Sequence, residues 1–243
     1  MQTIEFKILK EFKDSFPNPV PASKAIPEWY KKIPKSSFSK EQDPKGFNVI
    51  MDSEGKGEPG HTIKECPPIR DYLCSGYIIP LWTDIFVEKT KESGELYSWR
   101  DGSREWIQWH SFTQVKGSVL VDDMRGNPAV YKLASPWYIK TPPGYSCLFF
   151  SPRYHKRKIN ILPAIVDTDA YHEVNFPFFY RGEDNDMINR GEPIIQVFPF
   201  KREDWKHKIT TMDKVEVDKS QLTMQTFWSK AYKKLFHKKK VFR

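Results

Sequence analysis

Residues 167–171 contain the side-chain types that hydrolytic and nucleotide-binding sites use. A carboxylate at the end of a strand can orient a water molecule for attack on a phosphoanhydride, and a tyrosine ring can stack on a sugar or a base. The same Asp-Thr-Asp pattern is common in turns, where the carboxylates accept backbone N–H groups and no ligand is needed. Both interpretations stay open, and we treat Asp167, Asp169 and Tyr171 as candidate ligand-binding residues.

The six histidines do not show the spacing of a metal site. No two of them lie two or four residues apart, which would place both on one face of a strand or helix. A strand over 105–110 would place His110 on the same face as Gln108, and the two could line a polar pocket. A purely structural hydrogen bond is the alternative for His110. We therefore keep His110 as a candidate ligand-binding residue and predict no metal, no cofactor and no catalytic residue.

The positive charge of the chain is concentrated at its C-terminus. The chain has a net charge of +8, and residues 220–243 contain no acidic residue. Apolar residues in this segment recur at three- and four-residue steps, so we predict an amphipathic basic helix capped by Ser220. It either docks on the protein with solvated lysines or contacts a polyanion or a protein partner. The candidate contact residues are Lys230, Lys233, Lys234, Lys238, Lys239, Lys240 and Arg243.

Short apolar and aromatic stretches, separated by turn residues, dominate the chain from residue 63 onward. This pattern predicts a mainly β fold, an antiparallel barrel or sandwich, with short helical turns near the N-terminus. We expect a proline-rich wrap and surface loop over 1–62, a β domain over 63–205 and a basic helical extension over 206–243. The predicted strands are 76–88, 96–99, 105–110, 118–121, 130–133, 137–140, 146–150, 159–166, 176–180 and 194–199.

Several function classes are not expected from the sequence. The patterns GxxxxGK[ST], GxSxG and HExxH are absent, and strands do not alternate with helices, so P-loop and Rossmann architectures are not expected. The apolar runs are much shorter than the roughly 20 residues of a membrane helix, and the first residues do not form a secretory signal. Three cysteines without CxxC spacing predict reduced, buried thiols. We expect a cytoplasmic protein.

One segment is similar to the middle motifs of trimeric dUTPases and dCTP deaminases. Asp167, Asp169 and Tyr171 stand at that family's acidic turn, Arg153 follows Pro152 as in its Pro-Arg-Ser-Gly motif, and Gln196 stands in its later strand. The resemblance implies a β-clip fold, a homotrimer and a nucleotide site that includes Arg153 and Gln196. The chain departs from the pattern because Tyr154 and His155 replace the Ser-Gly and no glycine follows Tyr171. The opening and closing motifs of the family are also missing, which puts dUTP hydrolysis in doubt.

Residues 17–205 resemble an uncharacterised family of tailed-phage and bacterial proteins. The resemblance lies in PASKAIPEWYKKIP, IKECPPIRDYLCSGYIIPL, PWYIKTPPGYSCLFFSP, VDTDAYHEVNFPFFY and GEPIIQVFPFKREDW, which follow one another in this order. It implies a phage or prophage origin, and therefore the host cytoplasm or the virion as location.

Three function hypotheses follow. The first is a non-catalytic binding or assembly protein with a β body, whose basic C-terminal helix contacts nucleic acid, an acidic protein or another partner. The second is a nucleotide- or metabolite-binding protein or hydrolase on a dUTPase-related fold. The third is a structural component of the capsid, neck or tail. A cleft that combines Asp167, Asp169, Arg153 and His110 would favour the second hypothesis.

Overall fold

The structure is a computed structural model that describes residues 2–37, 60–89, 94–98, 105–120, 130–182, 185–226 and 232–241. The chain divides into two compact units, and each combines segments that are far apart in sequence. The first unit consists of Met1–Ala25 and Ser75–Glu203, and the second of Ile26–Cys74 and Asp204–Arg243.

The described residues are mainly antiparallel β with few helices, which confirms the predicted fold class. The helices are α1 (Glu28–Lys32), α2 (Pro67–Cys74) and α3 (Lys214–Thr226), followed by a π-helical turn at Tyr232–Phe236. The strands are β1 (Glu5–Lys7), β2 (Val20–Pro21), β3 (Ser36–Ser37), β4 (Gly60–His61), β5 (Tyr77–Pro80), β6 (Ile85–Lys89), β7 (Gly94–Ser98), β8 (Ile107–His110), β9 (Val130–Lys140), β10 (Tyr145–Phe150), β11 (Ile159–Ile161), β12 (Ala164–Val166), β13 (Glu173–Tyr180), β14 (Asp186–Ile188) and β15 (Pro193–Lys201).

Two five-stranded antiparallel sheets form a sandwich in the first unit. One sheet has the order β1-β9-β13-β11, with β8 also paired to β9, and the other has the order β12-β10-β15-β5-β2. Residues alternate along β10, so that Cys147 and Phe149 point into the core while Leu148 is half-buried on the outer face. Phe149 meets Phe176 of the opposite sheet at a ring-centroid distance of 5.4 Å. The two sheets therefore share one apolar core.

Aromatic rings fill one end of this core. Trp82 and Trp106 are fully buried, and their ring centroids lie 6.4 Å apart. Phe16 packs edge-on against Trp106 at 5.3 Å, which attaches the N-terminal segment to the sandwich. Burying such rings is among the largest apolar contributions to folding, about 1.5–3 kcal/mol for each large side chain.

Some predicted strands are divided or joined differently in the structure. The predicted strand 76–88 is two strands, because β5 and β6 belong to different sheets and the chain changes direction at 81–84. The predicted strand 159–166 is likewise divided at Pro163, where the chain passes from the first sheet to the second. Conversely, 130–133 and 137–140 form one strand, β9. Its Pro136 lies where the pairing with β13 shifts register, and the Ser135 hydroxyl accepts the Trp137 N–H.

Two local expectations were wrong. Residues 118–120 are not a strand, because the Ser118 N–H and hydroxyl both donate to the Val115 carbonyl and close a turn over 115–118, after which 119–120 are a 3₁₀ turn. The C-terminal helix α3 begins at Lys214 and not at Ser220, with the Asp213 carbonyl accepting the first helical N–H groups.

The second unit contains the three helices and the short β3–β4 pair. The Tyr30 hydroxyl donates to the Lys64 carbonyl at 3.5 Å, and the Lys64 ammonium donates to the carbonyls of Lys31 and Ile33 at 2.6 and 3.0 Å. These bonds tie α1 to the segment that precedes α2. No helix among the described residues is long and apolar enough to cross a membrane.

Candidate functional site

The acidic turn at 167–171 follows β12 and is fixed to the end of β9. The Thr141 N–H donates to the Thr168 carbonyl at 3.2 Å, and the two threonine hydroxyls lie 2.7 Å apart. Thr168 is fully buried, and its hydroxyl donates to the Cys147 sulfur at 3.3 Å. Burial raises the pKa of the Cys147 thiol to about 11, so this cysteine stays protonated and is not a nucleophile at neutral pH.

Arg202, a residue that the sequence analysis did not consider, binds both carboxylates of the turn. Its guanidinium donates to the two Asp169 oxygens at 2.9 and 2.5 Å and to Asp167 Oδ1 at 3.2 Å. Asp169 also accepts the Gly144 N–H at 2.8 Å, and Asp167 accepts the Ser146 hydroxyl at 2.6 Å. Such a two-pronged contact is the preferred geometry between arginine and a carboxylate. The cluster joins the turn to β10 and to the end of β15.

Electrostatics in the cluster favour the ionised form of Asp169. The hydrogen bonds from Arg202 and from the Gly144 N–H lower the pKa of Asp169 from 3.8 to about 2. The Asp169 side chain is 11% exposed, whereas that of Asp167 is 64% exposed. Both oxygens of Asp169 therefore accept hydrogen bonds from other groups of the chain, whereas Asp167 is open to solvent. This geometry matches the structural interpretation of the turn.

Arg153 and Gln196, the candidates from the dUTPase resemblance that lie outside the turn, are away from these carboxylates. The turn bonds to Gly144 and Ser146 at the start of β10, whereas Gln196 pairs with Phe150 at the other end of that strand. Gln196 is buried, and its amide donates to the Ser75 carbonyl at 2.9 Å. Arg153 follows that same far end of β10 and is exposed. Tyr171 is 56% exposed.

His110 lies at another place in the first unit. Its backbone pairs with Val130 at the start of β9, whereas the acidic turn is bound to Thr141 beyond the end of that strand. Ten residue steps along a strand span about 30 Å. The structure does not bring Asp167, Asp169, Arg153 and His110 into one cleft.

A cavity of about 570 Å³ lies in the second unit and is lined mainly by basic side chains. Seven lysine or arginine side chains line it, against the two carboxylates of Glu65 and Asp71. α2 presents Pro67, Arg70, Asp71 and Cys74, which recur at three- and four-residue steps on one helix face. A concave wall of one charge raises the local concentration of the opposite ion. The cavity therefore has the electrostatics of an anion site.

The cations of the cavity come from both parts of the second unit. The N-terminal part contributes Lys31, Lys35, Lys64 and Arg70. The C-terminal segment contributes Lys233, Lys239 and Lys240, three of the candidate contact residues. Of the other candidates, Lys234 and Lys238 are exposed, and Lys230 and Arg243 lie outside the described residues. Residues 227–231 of the predicted helix also lie outside them.

Asp71 fixes the C-terminal segment to α2. Its Oδ2 accepts a hydrogen bond from His237 Nε2 at 3.0 Å and one from the Lys240 ammonium. Burial alone would raise the pKa of Asp71, but these hydrogen bonds outweigh burial and lower it. The contact holds Lys239 and Lys240 at the cavity wall.

Neither site has a metal-ligand arrangement. Within the described ranges, no group of three or more His, Cys, Asp or Glu side chains is placed to hold a metal ion. Cys74 at the cavity is buried, which raises the pKa of its thiol.

Comparison with known proteins gives no family. No protein-family model matches the chain, and no curated protein matches it significantly.

Proposed function

We propose that the protein is a non-catalytic binding protein whose second unit binds an anionic partner in its basic cavity. The observation that carries the proposal is the charge of the lining, seven cationic side chains against two carboxylates around one concave space. Three of these cations belong to the basic C-terminal segment that the sequence singles out. The sandwich of the first unit provides a folded body, and its acidic turn is closed by Arg202.

The hydrolase alternative has weaker support. A catalytic carboxylate must reach the substrate or a water beside it. Asp169 is held by Arg202 and the Gly144 N–H, and Arg153, Gln196 and His110 lie elsewhere. The phage origin, the homotrimer and a role in the virion are implied only by the sequence resemblances and stay predictions.

The experiment measures the melting temperature with and without tripolyphosphate, at constant ionic strength. A ligand that binds only the folded state stabilises it, so the melting temperature should rise. The variant Lys233→Glu with Lys239→Glu should lose this shift. Lys206→Glu with Lys208→Glu is the matched control, since these exposed lysines belong to the same unit and do not line the cavity. Equal shifts in both double variants would contradict the proposal, because net charge alone would then explain binding.

A further inference from the structure

The basic cavity is concave and bounded by three separate segments of the second unit. Residues 26–35, 64–74 and 233–240 each contribute to its lining. Its volume of about 570 Å³ lies within the range of small-molecule pockets, about 300–1,000 Å³. Long nucleic acids instead present phosphates along an extended backbone, and single strands bind in grooves that follow it. The shape of the cavity therefore favours a small ligand.

The charge of the cavity indicates a ligand that carries more than one negative charge. The lining has five more cations than carboxylates. Lys31 pairs with Glu28, Lys64 donates to backbone carbonyls, and Lys240 binds Asp71. In the part of the chain that the structure describes, the side chains of Lys35, Lys233 and Lys239 make no hydrogen bond or ion pair. Three ammonium groups at one cavity match two adjacent phosphates better than a single carboxylate.

Part of the cavity lining is apolar. Tyr30 is buried, and its ring packs edge-on against that of Trp29. Ile26 and Pro67 also line the cavity and add aliphatic surface. Ligand pockets typically combine such apolar lining with a few polar groups that orient the ligand. The ligand therefore has an uncharged organic portion beside its phosphates.

We propose that this cavity binds a small organic diphosphate, with the phosphates on Lys35, Lys233 and Lys239 and the organic portion toward Tyr30. The inference deepens the proposed function, because it names the chemical class of the anion. It predicts one ligand per chain.

Isothermal titration calorimetry at 150 mM salt tests this, with ADP, pyrophosphate and a 16-nucleotide single-stranded DNA as probes. ADP should bind with one-to-one stoichiometry, more tightly than pyrophosphate and more tightly than the DNA. In Lys35→Ala with Lys233→Ala, ADP affinity should fall at least about tenfold, because each lysine would make a charge-assisted hydrogen bond. Lys206→Ala with Lys208→Ala should bind ADP as the unmodified chain does. Circular dichroism verifies that both variants are folded.

The outcomes separate the two proposals. If the tripolyphosphate shift depends on the cavity lysines while ADP does not bind, the proposed function stands and the diphosphate proposal is overturned. DNA that binds more tightly than ADP, with an affinity that falls steeply with salt, would likewise replace the small ligand by a nucleic acid. Pyrophosphate that binds as tightly as ADP would overturn the proposal in favour of an inorganic anion. An ADP affinity that is unchanged in Lys35→Ala with Lys233→Ala would also overturn it.

Discussion

The substitution Gly76→Ala should strongly destabilise the sandwich of the first unit. Gly76 has a φ angle of +70°, in the left-handed region that favours glycine, and it leads into β5. A Cβ atom at this position would lie 2.0 Å from the Val197 carbonyl oxygen of β15. The substitution therefore meets both an unfavourable backbone angle and a backbone atom of the neighbouring strand, which cannot rotate away.

The backbone angle and the close contact together determine how much free energy of unfolding Gly76→Ala should lose. An alanine in the left-handed region costs about 1–2 kcal/mol, and forcing extra atoms into a packed site costs about 1–3 kcal/mol. We expect Gly76→Ala to lower the free energy of unfolding by about 2–5 kcal/mol. Gly191→Ala is the matched control, because Gly191 has a φ angle of +90° and its Cβ would meet no atom within 4 Å. It should lose only the backbone contribution, about 1–2 kcal/mol.

Urea denaturation, followed by near-ultraviolet circular dichroism, measures both variants. The slope of the unfolding free energy against urea concentration must be the same as in the unmodified chain, so that the difference in unfolding free energy reports stability alone. Two variants that lose the same free energy would refute the close contact between β5 and β15 at this position.

Three further outcomes follow from the structure. Arg202 and the Gly144 N–H lower the pKa of Asp169, so the ionised Asp169 stabilises the fold fully above pH 3.8, the pKa of the unfolded chain, and this stabilisation is lost as the pH falls through about 2. A carbon-detected NMR titration should find the lowered pKa, and Arg202→Ala should raise it toward 3.8. Phe178→Ala should cost about 3–5 kcal/mol in urea denaturation, since this ring is fully buried and stacks on Tyr131, whereas the 40% exposed Phe198 should cost much less as alanine. Asp71→Asn should reduce ADP binding in calorimetry, because it weakens the contact that holds Lys239 and Lys240 at the cavity; unchanged affinity would contradict that positioning role.

The mainly β, antiparallel character of the fold was predictable because it depends on local patterns. β-branched and aromatic stretches separated by turn residues reflect short-range preferences, and residues 147–150 of β10 show the expected alternation of buried and half-buried side chains. The assignment of strands to sheets was not predictable in this way. Leu81 and Trp82 are fully buried, so their apolar character gave no sign that the chain leaves one sheet between β5 and β6.

The acidic turn could be found from the sequence, but its partner could not. Arg202 is 33 residues from Asp169 in the chain, and the β10–β15 register, with Tyr145 opposite Lys201, brings it near. The register between two strands cannot be derived from residue spacing in a single sequence. The charge of the C-terminal segment was equally visible, whereas the contribution of Lys35, Lys64 and Arg70 to the same cavity depends on how the second unit folds.

Chemical footprinting of lysines tests the central claim most directly. The chain is acetylated at low reagent concentration with and without tripolyphosphate, and the modification of each lysine is measured by mass spectrometry. Anion binding in the cavity predicts that Lys35, Lys233 and Lys239 become less reactive, while the exposed Lys206 and Lys208 outside the cavity keep their reactivity. The same modification of all five lysines with and without tripolyphosphate would contradict the claim that this cavity is the anion site.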